Sequence, residues 1–506
     1  MKDIRSRLFI AIERWEEALG SDSVLKDPAQ LRAWETATYN TSERVFTVIT
    51  PANSGQVASG VSIANEHRIP IYPVSRGRNW GLGSRVPVRD SVVLDLSRLD
   101  RVIALDERFG CITLEPGVTF QQVHRYLSER NSGWFLPVIG GPADASVIGN
   151  CVERGDRIGP QRDPFSGMCA LEVVLPDGRM VHTGFERFGE SALESLSSMP
   201  AGPYLDGLFT QSNFAIVTRA TFWLVRHPKC FQLVSAHISD GGLAAFVDSL
   251  QALVDKLGNG VSTFTLWNGH KLNARHGPSF GARVPENSYS SETWFCQGCL
   301  YAPSVLMAAA LRELAVQALE PSSLELEVYD EVSVPDLRCQ AGLFLGMPTN
   351  DNVRSLYSRK REPLPEGDLD PDRDRCGAIW LCPEVPFDGA TAANVIASCE
   401  RDLRSFGYEP VIGMTPGTSR TIRVFITILY DRDIAGEDVR AMRCHDQLAA
   451  TLSTAGIFPF RLGIHSMHLA NQASGSCWDL IRQIKDAVDP DGILAPGRYC
   501  SFASPK

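Results

Sequence analysis

The apolar positions of this chain change rhythm along its length. Between residues 69 and 117 short Val, Ile and Leu runs ("IPIYPVS", "SVVLDLS", "RVIALDE", "CITLEPG") are bordered by Gly, Pro, Asp and Ser. Such runs predict strands, and "ERFG" between the last two predicts a hairpin turn. Ahead of them Ile4, Leu8, Ile12, Trp15 and Leu19 recur at helical spacing. After them Thr119, with Gln122 three positions on, predicts a capping-box start to a helix through "TFQQVHRYLSER". Pro176-Asp177-Gly178 predicts a turn inside "CALEVVLPDGRMVHTG", and "FAIVTRATFWLV" predicts a further strand.

Beyond Pro228 the texture changes. "GGLAAFVDSLQALVDKLG" and "SVLMAAALRELAVQALE" predict two amphipathic helices. The polar, proline-bearing stretch "TNDNVRSLYSRKREPLPEGDLDPDRDRCG" predicts an exposed excursion. "AIWLCPEVP", "TAANVIASCERDLRSFG" and "RTIRVFITILYD" then predict a second sheet with helices, hence a second α+β domain. A helix in "SCWDLIRQIKDAVDP" and the turn "DGILAPGRY" close the chain.

A length of 506 residues with 44% hydrophobic content permits two domains, each with its own core. The net charge of -10 argues against nucleic-acid binding, which needs a clustered basic surface. No apolar run approaches the ~20 residues of a membrane span. The N-terminus is too charged for a signal peptide, so a cytoplasmic address is expected. Of thirteen cysteines only Cys296 and Cys299 have pair spacing, without a second Cys or His pair nearby. The cysteines read as reduced core residues, and no metal site is expected.

One stretch resists this bookkeeping. "PVSRGRNWGLGSRVP", residues 73–87, sets three glycines beside three arginines after a strand. It reads either as a surface loop or as a phosphate cradle, because glycine turns expose several converging amides. It is neither a GxGxxG fingerprint nor a P-loop.

Together with "LEPGVTF", "SVIGNCVERG", "GPYLDGLFTQSNFAIVT" and "VDPDGILAPGRY" in that order, the loop resembles the vanillyl-alcohol oxidase / para-cresol methylhydroxylase family of FAD enzymes. The likeness runs through nearly the whole chain. It implies a two-domain α+β fold: an FAD domain over 1–225, a cap or substrate domain over 226–456, and a return to the FAD domain over 457–506. The resemblance assigns Ser75, Arg76, Gly77, Arg78, Asn79, Gly81, Gly83 and Ser84 to the pyrophosphate. A second crossing would use Pro116, Gly117, Ser146, Val147, Ile148, Gly149 and Asn150, with Glu153 and Gly155 just beyond. Ile216 and Val217 would meet the adenine end.

The resemblance also implies a hydride transfer to flavin from a carbon beside a phenol ring, with two tyrosines and an arginine holding the phenolate. Those tyrosines fall at Leu82 and Phe460 here, so both hydroxyls are missing, whereas Arg461 and Arg498 are present. Arg461 would face the flavin N1/C2 region, where charge builds on reduction, and Arg498 would hold a substrate anion. Trp380 matches a family aromatic beside the substrate. A family carboxylate and histidine fall near Gly413 and at Arg423. Asp144 is a candidate base near flavin N5, or else a cap of the following turn. A pocket that loses phenol donors yet keeps cations suggests an anionic substrate such as a carboxylate.

No tyrosine or histidine stands where the family links its flavin. Non-covalent FAD is therefore expected, the alternatives being an ester link through Asp368, Asp370, Asp372 or Asp374, or a link at Cys151. Three functions remain in view: an oxidoreductase passing electrons to oxygen or to an acceptor protein, a flavin-dependent cyclase or desaturase of specialised metabolism, and a flavin binder without turnover. A homodimer is expected by analogy.

Overall fold

The computed structural model describes residues 2–160, 163, 165–276, 289–330, 341–361, 365, 367–471 and 473–500. Helix α1 (Lys2–Leu19) lays Ala11, Trp15 and Leu19 onto a sheet of β1 (Val24–Leu25), β2 (Val45–Ile49), β3 (Ile71–Val74) and β4 (Ser91–Asp95). The sheet order is β1-β2-β4-β3, with β4 parallel to both β2 and β3. Helix α2 (Ser54–Glu66) packs against α1, and the Trp15 indole donates to the Gly60 carbonyl at 2.9 Å. Both central strands are buried on both faces, which is why their sequences show apolar runs rather than alternation.

A second, antiparallel sheet holds β5 (Val102–Asp106), β6 (Cys111–Leu114), β7 (Met168–Val174), β8 (Met180–His182) and β9 (Ile216–Trp223), in the order β5-β6-β9-β7-β8. Helix α3 (Phe120–Glu129) begins at the full Thr119/Gln122 capping box. The short α4 (Val147–Val152) is capped by Ser146, whose hydroxyl accepts from the Gly149 amide.

The cap carries an eight-stranded antiparallel sheet: β10 (Cys230–Ser239), β11 (Thr265–Asn268), β12 (Thr293–Ala302), β13 (Glu325–Asp330), β14 (Cys376–Pro386), β15 (Val411–Pro416), β16 (Thr421–Asp431) and β17 (Phe458–Arg461). Its order is β13-β10-β12-β11-β15-β16-β14-β17. Helices α5 (Leu243–Leu257), α6 (Gly269–His276), α7 (Val305–Leu319), α8 (Gly389–Ser405) and α9 (Glu437–Thr454) follow in chain order. Period-two alternation sorts the two faces. Ile422, Val424, Ile426 and Ile428 of β16 join the core shared with α5, α7, α8 and α9. The intervening Arg423, Phe425 and Thr427 therefore point the other way, towards the FAD domain.

Two sequence expectations are revised. Strand β17 pairs with β14, so the chain leaves the cap sheet only after Arg461. The stretch 349–377 is not simply an exposed excursion: Val353, Leu356 and Tyr357 are buried against Trp80, and Asp372 is 3% exposed. Apolar residues spaced along that polar run give it something to bury. Residues 362–364 and 366 of it lie outside the described residues.

The C-terminal return is anchored by helix α10 (Ser476–Val488) through a buried ion pair, Lys485 Nζ to Asp489 Oδ2 at 2.5 Å. Asp489 also accepts from the Ile493 and Leu494 amides, and Lys485 donates to the Asn213 and Leu494 carbonyls. Lys485→Met would strand a buried carboxylate. The expected loss is about 3–5 kcal/mol, read by denaturant unfolding of the purified protein.

Candidate active site

Between the cap sheet and the FAD domain lies a cavity of about 350 Å³. Residues 75–79 and 82–84 line one end, with Pro116, Ser146, Ile148, Gly149, Asn150 and Glu153 opposite and Ile216 and Val217 beyond. Trp267, Trp380, Phe425 and Phe460 from the cap line the other end, together with Leu82.

Close backbone approach explains the glycines. A Cβ on Gly149 would lie 2.6 Å from the Ser75 hydroxyl, and one on Gly81 would lie 2.6 Å from the Trp380 ring. Gly77, Gly81 and Gly83 all have positive φ. The loop is bolted to the cap: the Trp380 amide donates to the Gly81 carbonyl and the Ile464 amide to that of Leu82, both at 3.0 Å. Buried Thr38 accepts from the Gly81 amide and donates to the Ala378 carbonyl of β14. The amides of Gly77, Arg78 and Asn79 meet no protein acceptor among the described residues and border the cavity.

The loop's arginines differ in their commitments. Arg78 pairs with Asp144 at 2.7 Å and with Asp370 at 3.3 Å, and Arg85 approaches Asp370 at 3.6 Å. Arg76 has no ion pair within 4 Å among the described residues and lines the cavity. Asp372 accepts from the Ser84 hydroxyl at 2.8 Å and from the Trp80 indole at 3.2 Å.

At the cap end Arg461 stands beside Cys382 of β14 in strand register. It donates to Asn79 Oδ1 at 3.0 Å, and its Nε has no partner among the described residues. Burial pushes the Cys382 thiol up to about 12, while Arg461, Lys271 and Arg423 all pull against that. Asp156, which also lines the cavity, adds to the upward push.

Over 523 aligned residues the chain is 35% identical to the 1'-carboxy-chondrochloren decarboxylase of Chondromyces crocatus, across 97% of this chain and 96% of that one. The chain belongs to the vanillyl-alcohol oxidase / para-cresol methylhydroxylase family. Residues 47–184 match the FAD binding domain family (FAD_binding_4). The 4-cresol dehydrogenase [hydroxylating] flavoprotein subunit of Pseudomonas putida is 28% identical across 96% of this chain and 94% of its own. A structure of p-cresol methylhydroxylase with substrate bound matches with a TM-score of 0.88 at 24% identity, covering 99% of this chain and 98% of that chain. One of 4-ethylphenol oxidase from Gulosibacter chungangensis matches at 0.86 and 21%, with the same coverage. The two structures bear on the fold alone.

As a member of this family the chain is an FAD-dependent enzyme, and the cavity fits the cofactor. The bare amides of 77–79, the free Arg76 and the glycine-thinned walls at Gly149 and Gly83 are what a pyrophosphate between two loops requires. No described helix is long and apolar enough to cross a membrane.

Several sequence-based assignments shift in the structure. Arg498 lines the cavity but is committed to half-buried Glu153 at 2.7 Å, and it donates to the Tyr72 hydroxyl as well. Burial pushes the Glu153 carboxyl up, yet Arg498 and then Arg461 outweigh it and hold it below its usual range. Arg498 is therefore not a free anion receptor. Asp144 answers Arg78 instead of facing the cavity, and Ser146 caps the helix start. Arg423 backs the wall rather than lining it: its guanidinium lies 4.4 Å over the Phe460 ring, with Glu384 at 3.7 Å and Asp156 at 3.9 Å. Gly81, Gly117 and Gly155 also sit behind the surface; a Cβ on Gly117 would lie 2.5 Å from the Ser97 carbonyl. Leu82, Phe460 and Trp380 do line the cavity.

Sequence reasoning missed Trp267, Phe425, Cys382 and Lys271. Phe425 was reachable, being two residues from Arg423 on one strand face. Lys271 sits on a separate helix whose place beside Trp380 is set by sheet order, and nothing local marks it.

Burial pushes the Asp372 carboxyl up to about 7, against the Ser84 hydroxyl and Arg85. A carboxyl raised in the folded state contributes stability that is fully present in acid and is lost as pH rises through its folded value. Thermal midpoints should fall as pH rises from about 4 to about 7, and Asp372→Asn should flatten that slope. A calorimetric pH series on both proteins checks this.

Proposed function

We propose that the enzyme oxidises a small aromatic carboxylic acid, removing a hydride from its benzylic carbon and releasing the neighbouring carboxylate as CO2. The observation that carries the reading is the cap end of the cavity. Its aromatic wall has Leu82 and Phe460 where the family resemblance expects two phenol-binding hydroxyls, and Lys271 and Arg461 line the same end. An apolar slot with excess positive charge suits an arene bearing an anion. The likeness to a decarboxylase, at higher identity than to a cresol dehydrogenase, supports the same reading.

FAD, when bound, supplies the two-electron acceptor. For a substrate Ar–CH2–CHR–COO⁻, hydride loss leaves the benzylic carbon electron-poor. The bonding pair between the adjacent carbon and the carboxylate then forms the new C=C, and CO2 departs. Charge and atoms balance without a proton to place. In this reading the chain's own contributions are to hold the ring between Trp380 and Phe460, to exclude water, and to set Arg461 where negative charge develops. Reoxidation uses oxygen or an electron-acceptor protein, and the enzyme acts as a homodimer.

Flavin attachment is read as non-covalent. Asp370 and Asp372 are engaged by loop residues, Asp374 by Arg373 and Tyr357, and none of the four aspartates from Asp368 to Asp374 lines the cavity. The Cys151 thiol is buried and pushed up to about 12, a poor nucleophile. Acid precipitation should release the yellow colour to the supernatant; colour kept in the pellet would overturn non-covalent binding.

The reaction is tested with 3-arylpropanoates against 4-alkylphenols, following peroxide or dye reduction and released CO2. Acid-dependent turnover with CO2 in step with flavin reduction is expected. Equal turnover of alkylphenols lacking a carboxylate would sink the reading.

A further inference from the structure

Lys271 enters the cavity wall from helix α6 of the cap. Its backbone is fixed at the start of α6, where Asn268 Oδ1 accepts from the Lys271 amide at 2.9 Å. Asn268 is itself held by the Pro410 carbonyl at 2.7 Å. Gly269 permits the tight turn, since a Cβ there would lie 2.0 Å from the Ser290 carbonyl oxygen. The side chain therefore enters the cavity from a rigid base, among cap residues only.

Its surroundings leave the charge unanswered. The ammonium touches Thr427 Oγ1 at 3.4 Å and lies 5.7 Å from the Trp380 ring centroid. No carboxylate oxygen among the described residues comes within 4 Å of it. By contrast Arg78, Arg423 and Arg498 all have acids at hand. An ammonium with no counter-ion within 4 Å and a guanidinium nearby is costly unless a ligand supplies the counter-charge. Burial pushes Lys271 down to about 8, with Arg275 adding to that and Cys382 opposing it. At neutral pH it still carries its proton.

We propose that the Lys271 ammonium receives the substrate's carboxylate and so selects aromatic acids over their neutral counterparts. The inference rests on the aromatic-acid reading above and names the residue that enforces it. Trp380, beside the ammonium and against Gly81 of the phosphate loop, gives the arene a face within reach of both ends of the cavity.

The test uses the FAD-loaded enzyme and two probes, 3-phenylpropanoate and 3-phenylpropanamide. Each is titrated while the visible flavin spectrum is followed, with calorimetry in parallel. Wild type should bind the acid more tightly than the amide. Lys271→Met should weaken acid binding by about thirtyfold or more, leaving amide binding and flavin content unchanged, and Lys271→Arg should recover part of the loss. The proposal is overturned if Lys271→Met binds the acid as wild type does, or if both probes weaken equally. It also falls if flavin is lost from both variants, because the ammonium then serves the cofactor. Acid binding through Lys271 without CO2 release on turnover would leave this inference standing and remove the decarboxylation reading; wild type that ignores the acid removes both.

Discussion

Everything at the site depends on how closely the loop 75–84 approaches the cap sheet. Gly81 lies flat against the Trp380 indole, and a single Cβ there would meet the ring at 2.6 Å. Thr38 ties the same glycine to β14 from behind, and Ile464 closes over Leu82 from the other side. A shared joint of this kind makes the glycine-loop end and the cap end of the cavity one rigid object. The two ends of the cavity are thereby held together by backbone hydrogen bonds rather than by long side chains.

Charge is organised around that joint with a clear division. Arginines that hold the architecture are answered by acids: Arg78 by Asp144 and Asp370, Arg498 by Glu153, Arg423 by Glu384 and Asp156. Arg76, Arg461 and Lys271 also line the cavity and have no carboxylate within 4 Å among the described residues, although Arg461 still acts on Glu153 and Arg76 on Asp95. Buried pairs are costly to break and contribute little net energy, so they serve as fixed geometry. The segment 349–377 belongs to the first class: its aspartates clamp the glycine loop and its apolar residues pack under Trp80.

Most local structure was legible from pattern and punctuation. The amphipathic spacing of residues 4–19, the Thr119/Gln122 box and the Pro176-Asp177-Gly178 turn each became the element their chemistry predicts. Reading the glycine loop as a phosphate cradle rested on four other motifs, because its backbone conformation has no local signature that a surface loop lacks. The misplacements share one cause. Arg498 and Asp144 are charged residues in the right neighbourhood, and which of them faces the cavity depends on partners 345 and 66 positions away in sequence.

By itself, then, the sequence determined most helices, strands and turns and the family, since each depends on residue type at short spacing. Tertiary structure alone decided which cations remain free. That outcome is set by pairs such as Arg423 with Asp156, 267 positions apart, and by the sheet order that brings α6 beside β14 and β16. A counter-charge acts through space over a few ångströms, and only the folded chain says what lies within that reach.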